Sequence, residues 1–149
     1  DDSDGNLHSE AVVSWFYLVG RLFRARHADN ASLPGSEWEK RAARFLKRKG
    51  YRIIDRNVRT RRGEIDIIAA DGDEMVFVEV KSRKSDEFGG GEYAIDLKKR
   101  RRLTAAAKEY LQRKKLTNRP CRFDAVTILT SAEPPLFTHS ENAFADDRR

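Results

Sequence analysis

Apolar side chains recur at helical spacing in two stretches of the chain, and each stretch predicts a helix. The segment from Ser36 to Glu39 fits a capping box, in which Ser36 is the N-cap and Glu39 occupies the third helical position. Gly50 predicts the end of this first helix. A second helix is expected over residues 96–114. The residues at helical spacing are Trp38, Ala42, Phe45, Leu46 and Lys49 in the first helix, and the core stripe of the second is Leu103, Ala106, Ala107, Tyr110 and Leu111.

Stretches rich in β-branched and aromatic residues predict four or five strands. They cover residues 51–59, 63–70, 75–82 and 122–130, and a short fifth strand is expected at residues 136–139. The order of elements, α-β-β-β-α-β, combines an antiparallel hairpin with a strand that is reached through a helical crossover. This order predicts an α/β fold with a mixed four- to five-stranded sheet flanked by helices.

The predicted domain spans residues 35–145, and the other segments are expected to be appendages. Residues 1–34 are interpreted as a tail, an extra N-terminal amphipathic helix (11–27) and a linker, and residues 146–149 as a second tail; the chain after Glu141 is expected to be loose. The apolar face of helix 11–27 is wide and its polar face is thin. This favours packing on the domain or on another subunit over lying on a membrane surface, and it makes the helix our candidate for a homodimer interface.

The second and third strands form a predicted hairpin with two unlike faces. Because side chains alternate between faces along a strand, one face is wholly apolar and is expected to lie against helices. The other face collects three carboxylates and a lysine at the end away from the turn. The apolar set is Ile65, Ile67, Ala69, Val76, Val78 and Val80, and the charged set is Glu64, Asp66, Glu79 and Lys81.

The length of the hairpin turn decides whether the charged groups share a face. A two-residue turn that begins at Asp71 pairs Asp66 with Phe77 and places Glu79 on the diagonal. A four-residue loop from the same starting point pairs Asp66 with Glu79 directly. Both registers preserve the cluster, whereas a three-residue loop breaks it unless a bulge restores the alternation.

The carboxylate cluster predicts a metal site. Carboxylates held close together repel one another, and a hard divalent cation removes that conflict. Mg²⁺ (or Mn²⁺) binds one or two carboxylates, keeps several waters and contacts phosphate oxygens, so we expect Asp66 and Glu79 to be ligands and Lys81 to hold the attacking water or the phosphate charge. The alternative is a solvated strand end with an ordinary Glu–Lys pair. Glu39 is a further candidate ligand, although the capping box explains it equally well.

Composition narrows the class of partner. The 149 residues include 30 Lys and Arg against 24 Asp and Glu, a formal net charge of +6, which favours a polyanionic partner such as nucleic acid. The single cysteine, Cys121, excludes an intrachain disulfide, and with three His it cannot supply a Cys/His zinc cluster. The acidic start does not resemble a signal peptide and no stretch is long enough to span a membrane, so a cytoplasmic protein is expected.

Basic residues bracket the carboxylate cluster along the chain. Four arginines precede the hairpin, two cations follow it, and five consecutive cations open the second helix, where they oppose the helix macrodipole and therefore indicate an anionic partner. The alternative is a solvated basic face with nonspecific affinity for RNA or ribosomes. The predicted nucleic-acid-binding residues are Arg56, Arg59, Arg61, Arg62, Arg83, Lys84, Lys98, Lys99, Arg101 and Arg102.

The sequence resembles a known family over residues 35–145. The helix that carries Glu39, the segments Gly63-Glu-Ile-Asp66 and Phe77-Val-Glu79-Val-Lys81, and Cys121-Arg-Phe-Asp124 are similar to the YraN-type family of uncharacterised bacterial proteins. That family resembles archaeal Holliday-junction resolvases and the PD-(D/E)xK restriction-endonuclease-like superfamily. The resemblance implies an αβββαβ core with a metal aspartate at Asp66, the ExK pair at Glu79 and Lys81, and a helix carboxylate at Glu39. Ile65 stands where the superfamily motif has proline.

Three functions are compatible with these patterns. The first is Mg²⁺-dependent hydrolysis of phosphodiester bonds in DNA, and the resemblance implies branched or otherwise structured DNA as a substrate. The second is a non-catalytic nucleic-acid-binding module on a nuclease scaffold, and the third is an interaction protein that docks a partner through residues 11–27. Because Asp66, Glu79 and Lys81 all stand at the positions that catalysis requires, the sequence favours the first.

Overall fold

A computed structural model describes residues 33–84 and 95–145 of the chain. The helix expected at residues 11–27 and the tail expected at residues 146–149 lie outside these residues, so the domain boundaries stay predictions. The described elements, in chain order, are helix α1 (Gly35–Arg48), strands β1 (Arg52–Arg59), β2 (Glu64–Asp71) and β3 (Glu74–Arg83), helix α2 (Leu97–Arg113), and strands β4 (Cys121–Leu129) and β5 (Leu136–Phe144).

The five strands form one mixed sheet in the order β1-β2-β3-β4-β5. The β1–β2, β2–β3 and β4–β5 pairs are antiparallel, and β3 and β4 are parallel because α2 carries the chain back between them. The predicted α/β architecture is therefore confirmed. Among the described residues, no helix combines the length and the apolar character needed to cross a bilayer.

Each face of the sheet buries its own hydrophobic core under one helix. The predicted stripe of α2 is buried as expected, and α1 buries Ala43 in addition to Trp38, Ala42 and Leu46. The α1 core adds the strand residues Ile67, Ala69, Val76, Val78, Val126 and Ile128, and the α2 core adds Ile65, Ile68, Met75, Phe77, Phe123, Ala125 and Phe144.

The core under α2 contains Ile65, which corrects one prediction about the hairpin. Ile67 and Ala69 lie under α1 as expected, but Ile65 packs on the opposite face. The cause is a break in the alternation of β1, where Asn57 adopts a left-handed conformation (φ +51°) just before Val58, the residue paired with Ile65. Val58 also packs in the α2 core, so the pairing carries the change of face into β2.

Helix α1 begins two residues earlier than the capping box predicts. Pro34 is the N-cap, no side chain caps the helix, and Gly35 is the first helical residue. The Pro34 carbonyl already accepts the amide of Glu37 at 3.0 Å, so the helix has started before Ser36 can act as a cap. The capping-box prediction is therefore wrong, and it no longer explains why a glutamate stands at position 39.

Gly50 stops helix α1 as predicted, two residues after the last helical residue, Arg48. Gly50 has a φ of +100°, a conformation that glycine adopts without steric penalty. The amide of Tyr51 donates to the Leu46 carbonyl and the amide of Gly50 donates to the Lys47 carbonyl, both at 3.1 Å. These two hydrogen bonds form a Schellman motif, which directs the chain from α1 into β1.

Strand β5 is longer than the sequence indicates. A short strand at residues 136–139 was expected with a loose chain after Glu141, but β5 continues to Phe144. Phe144 pairs with Phe123 on β4, and their rings stack with centroids 4.7 Å apart. One aromatic contact with β4 therefore anchors the polar end of this edge strand.

Candidate metal site and basic surface

The hairpin register brings Asp66 and Glu79 opposite each other. The strands are joined by a two-residue turn, Gly72-Asp73, closed by the pair of Asp71 with Glu74. Ile67 pairs with Val78 in this register, so the next positions along the strands are Asp66 and Glu79. This is the register that the four-residue loop considered above would produce, reached here by a two-residue turn that is shifted by one residue.

The Asp66 carboxylate lies where the regular β2–β3 pairing ends. The last regular pair is Ile67 with Val78, and beyond it Asp66 Oδ2 accepts a hydrogen bond from the backbone nitrogen of Val80 at 2.8 Å. A side chain thus continues the link between the strands where the backbone pairing stops. The hydrogen bond fixes the orientation of the carboxylate.

Asp66 and Glu79 form a partly buried pair of carboxylates. Glu79 is only 5% exposed. Burial is the main cause that raises the pKa of Asp66 to about 6, and the charge of Glu79 raises it further, whereas the Val80 amide and the Lys99 cation oppose the shift. Two adjacent carboxylates, one of which resists ionisation, form an oxygen donor set that a hard divalent cation fits.

Glu39 lies close enough to this pair to interact with it electrostatically. Burial is the largest cause that raises the pKa of Glu39, and the charges of Asp66 and Glu64 raise it further. A hydrogen bond from Asn57 and the charge of Arg56 lower this pKa. In the described part of the chain, however, no three His, Cys, Asp or Glu side chains come close enough together to hold a metal ion. The structure therefore brings Asp66 and Glu79 together and leaves Glu39 at the margin.

The cation that contacts Glu79 is not the one expected from the sequence. Lys99, in the first turn of α2, forms an ion pair with Glu79 Oε1. Lys81 follows Glu79 on the same face of β3 and is exposed. The strand-end Glu–Lys pair considered as an alternative is thus absent from the described residues, and Lys99 points toward the carboxylates and not only toward solvent.

The other predicted basic residues occupy three places. Arg59 forms an ion pair with Glu64 at 2.7 Å, and Arg56 acts on Glu39 electrostatically. Arg61 and Arg62 lie in the loop between β1 and β2 and line a groove with α2. The exposed set at the end of β3 and the start of α2 is Lys84, Lys98, Arg101 and Arg102, and Arg83 is half-buried.

The sequence interpretation missed two cations of the groove, Lys108 and Arg113. The sequence does contain a pattern that indicates these two cations. The groove residues of α2 follow the spacing of one helix face, opposite the apolar stripe. Those residues are Ala105, Lys108, Glu109, Gln112 and Arg113. Asn57 was also missed, since its left-handed conformation inside a strand has no sequence pattern of its own.

A second cluster of buried charges lies on the α1 face of the sheet. Asp124 is fully buried and accepts hydrogen bonds from Arg122 Nε at 3.1 Å and from the amide of Asn142 at 3.0 Å. It also contacts His139 Nε2 at 2.8 Å. Because the Lys49 ammonium lies 2.7 Å from His139 Nδ1 and can only donate, Nε2 carries the ring hydrogen and donates to Asp124.

Arg122 extends this cluster toward the hairpin turn. Its guanidinium donates to Glu74 at 2.7 Å, to Asp71 at 3.1 Å and to the Tyr51 hydroxyl at 2.8 Å. Within the described residues, every buried side-chain nitrogen and oxygen has a hydrogen-bond partner. With its polar groups satisfied, the cluster is a structural link between β4, β5 and the turn, and we do not include it in the candidate site.

The fold and the position of the carboxylates define a class of protein. A mixed sheet with a helix on each face, and carboxylates where the hairpin strands separate, is the arrangement of a restriction-endonuclease-like core. The sequence model of "Uncharacterised protein family UPF0102" matches residues 38–128, and the chain belongs to this family. The YraN-type resemblance is thereby confirmed.

Curated relatives carry the same family description. The chain is similar to a UPF0102 protein of Pelotomaculum thermopropionicum, with 42% identity over 119 residues that cover 78% of this chain and 99% of the relative. It is also similar to one of Hahella chejuensis, with 47% identity over 92 residues (62% and 74% of the two chains). A Pseudomonas aeruginosa relative is 42% identical over 113 residues (74% and 90%). These names state a family and no activity.

Proposed function

We propose that this protein is a metal-dependent endonuclease that hydrolyses phosphodiester bonds in DNA, with Mg²⁺ or Mn²⁺ held by Asp66 and Glu79. The observation that carries the proposal is the adjacency of these two carboxylates, one of which has a pKa raised to about 6. Carboxylates held so close are typical of sites where a cation or a proton is needed. Branched or otherwise structured DNA is the substrate class that the resemblance to resolvases favours.

Each group around this pair of carboxylates would have its own role in the reaction. A bound cation would activate a water molecule and stabilise charge on the phosphate. Asp66 is oriented by the Val80 amide, so its free lone pairs point in a defined direction. Lys81 is exposed two residues after Glu79 and would contact a phosphate oxygen, and Glu39 would hold water molecules at the margin.

The Lys99–Glu79 ion pair supports a second candidate, a nucleic-acid-binding module without catalysis. Lys99 neutralises part of the carboxylate charge without any metal. If this pair is permanent, the cluster is structural and the basic surface alone is functional. Persistence of the ion pair in the presence of metal separates the two candidates.

The experiment is cleavage of duplex, flap, four-way-junction and single-stranded DNA with Mg²⁺ or Mn²⁺. We expect Asp66→Ala, Glu79→Gln and Lys81→Ala each to reduce the rate by roughly a hundredfold or more, as loss of a charge-stabilising group commonly does. Asp73→Ala, an exposed carboxylate in the turn, is the matched control and should cleave normally. Cleavage that survives all three substitutions overturns the assignment of the site. Binding with neither cleavage nor stabilisation by metal supports the module.

A further inference from the structure

A groove of about 540 Å³ lies between the β1–β2 loop and the outward face of α2. Four of its lining residues are cations and one is a carboxylate, so it carries an excess of three positive charges. Arg61, Arg62 and Arg113 are exposed and form no ion pair with any described residue. The full lining is Arg61, Arg62, Ala105, Lys108, Glu109, Gln112 and Arg113.

The loop that forms one wall of the groove is held in place by Thr60. The Thr60 hydroxyl accepts the amides of Arg62 at 3.1 Å and of Gly63 at 3.2 Å, and the Thr60 amide donates to the Gly63 carbonyl at 2.9 Å. A Cβ atom at Gly63 would lie 3.7 Å from the Cβ of Arg102, so the loop also approaches α2 closely. The two arginines therefore project from a preorganised turn, which lowers the entropic cost of binding.

The groove and the carboxylate pair share two elements, α2 and the chain that leads into β2. Lys99 contacts Glu79, and Lys108 follows nine residues later on the same helix, which is a rise of about 14 Å along the helix axis at 1.5 Å per residue. Arg62 precedes Asp66 by four residues, so the backbones of these two residues lie at most roughly 14 Å apart even if the chain between them is fully extended. Both elements therefore keep the backbone of the groove within roughly 14 Å of the residues at the carboxylate pair, a length that a few base pairs of duplex DNA span.

We propose that this groove binds the phosphate backbone of duplex DNA within a few base pairs of the bond that Asp66 and Glu79 would hydrolyse. The planar guanidinium group of arginine carries several N–H donors that suit phosphate oxygens, and Gln112 adds a neutral hydrogen-bond donor. The identity of the nucleic acid rests on the proposed function, whereas the anion-binding groove itself does not. The groove anchors the duplex beside the candidate site and carries no sequence information.

The test measures duplex binding in EDTA, where no cleavage occurs. The groove variant is Arg61→Gln/Arg62→Gln/Arg113→Gln, and the charge-matched control is Arg44→Gln/Lys47→Gln/Arg48→Gln on α1, which covers the other face of the sheet. For a 20-base-pair duplex, we expect the groove variant to bind at least about tenfold more weakly at 0.1 M salt. The slope of log K against log salt should fall by roughly 0.9 for each phosphate that the variant no longer neutralises, while the control keeps the slope of the unmodified protein.

Three outcomes decide the matter. Equally weakened binding in the two variants shows that only overall charge counts, and it overturns the proposal. Weakening that is confined to duplex RNA of the same sequence also overturns it. Weakened DNA binding in the groove variant alone supports it, even if no substrate is cleaved, so failure of the proposed hydrolysis and failure of the groove remain separate results. Circular dichroism verifies that both triple variants are folded.

Discussion

Asp66 on β2 accepts a hydrogen bond from the backbone nitrogen of Val80 on β3 at a distance of 2.8 Å. This bond joins the two strands one step beyond their last regular pair, and it holds the carboxylate beside Glu79. A carboxylate kept next to another carboxylate in a partly buried position destabilises the fold when it ionises. The ionisation of Asp66 beside Glu79 should therefore have a measurable effect on the stability of the fold.

The first prediction concerns Asp66→Asn. The pKa of Asp66 is raised from 3.8 to about 6, so the folded protein binds this proton more tightly than the unfolded chain, and stability falls as the pH rises between these values. Asparagine keeps an oxygen for the Val80 amide but has no charge. We expect the variant to gain on the order of 2 kcal/mol in the free energy of unfolding at pH 8.

Urea denaturation at several pH values checks this prediction. The gain should shrink as the pH is lowered through 6 and should be nearly absent below about pH 4, where both states carry the protonated side chain. Asp73→Asn, in the exposed turn, should show no such pH dependence. A loss of stability at pH 8 would mean that the Asp66 carboxylate is stabilised by its surroundings, contrary to our assignment.

The second prediction concerns the competition between Lys99 and a metal ion for Glu79. Lys99→Met removes the cation that contacts a carboxylate with little exposure. Without metal we expect a loss of about 1 kcal/mol, limited by the solvent that reaches Lys99, or a fall of a few degrees in the unfolding midpoint. Millimolar Mn²⁺ should then raise the midpoint more than it does in the unmodified protein.

The exposed neighbour provides the control for this experiment. Lys98→Met removes the same charge at the same end of α2 but lacks the contact with Glu79. Its response to Mn²⁺ should match that of the unmodified protein. An identical metal response in all three proteins would refute competition at Glu79 and would favour the structural ion pair.

The third prediction separates the helix cap from the candidate site at the start of α1. Ser36 makes no capping hydrogen bond, so Ser36→Ala should change stability by less than about 0.5 kcal/mol, whereas loss of a true N-cap costs about 1 kcal/mol. Glu39→Gln should weaken the stabilisation by Mn²⁺ while leaving helix content unchanged. Thermal melts with and without metal measure both effects. A large loss of stability in Ser36→Ala would show that Ser36 does cap the helix, contrary to this prediction.

The fourth prediction concerns the buried cluster on the α1 face. Asp124→Asn removes a buried charge that accepts hydrogen bonds from Arg122, His139 and Asn142. We expect a loss of about 3 kcal/mol, because breaking a buried pair leaves its partners uncompensated. At temperatures where the variant is folded, its response to Mn²⁺ and its salt dependence of DNA binding should be unchanged. Altered metal binding would place this cluster in the functional site.

Much of the fold could be predicted because periodic burial dominates it. The stripe of α2 and the alternation of β3 depend on which side chains leave water, and that information is local. Val76 and Val78 lie under α1 while Met75 and Phe77 lie under α2, as alternation requires. Gly50 ends α1 because its positive φ suits glycine and few other residues, and that preference is visible in the sequence.

The errors arose where a nonlocal contact or an unusual backbone decides the outcome. Ile65 changed face because of Asn57 on a neighbouring strand, and β5 continued because Phe144 stacks on Phe123. Neither effect can be recognised from the spacing of residues within one segment of the chain. The candidate site also has one local part and one nonlocal part. Strand alternation predicted Asp66 beside Glu79, whereas the approach of Lys99 depends on how α2 packs across the sheet.

The irregular strand β1 has a consequence for how copies of this protein meet. Its outer edge pairs with no other described strand, and such edges invite strand addition and aggregation. The register shift near Ile54 and the left-handed Asn57 interrupt that edge twice, and Arg52, Arg56 and Arg59 place like charges along it. A second chain therefore finds no straight, neutral run of backbone groups to extend. The feature that turns Ile65 toward α2 also discourages the sheet from growing into a fibre.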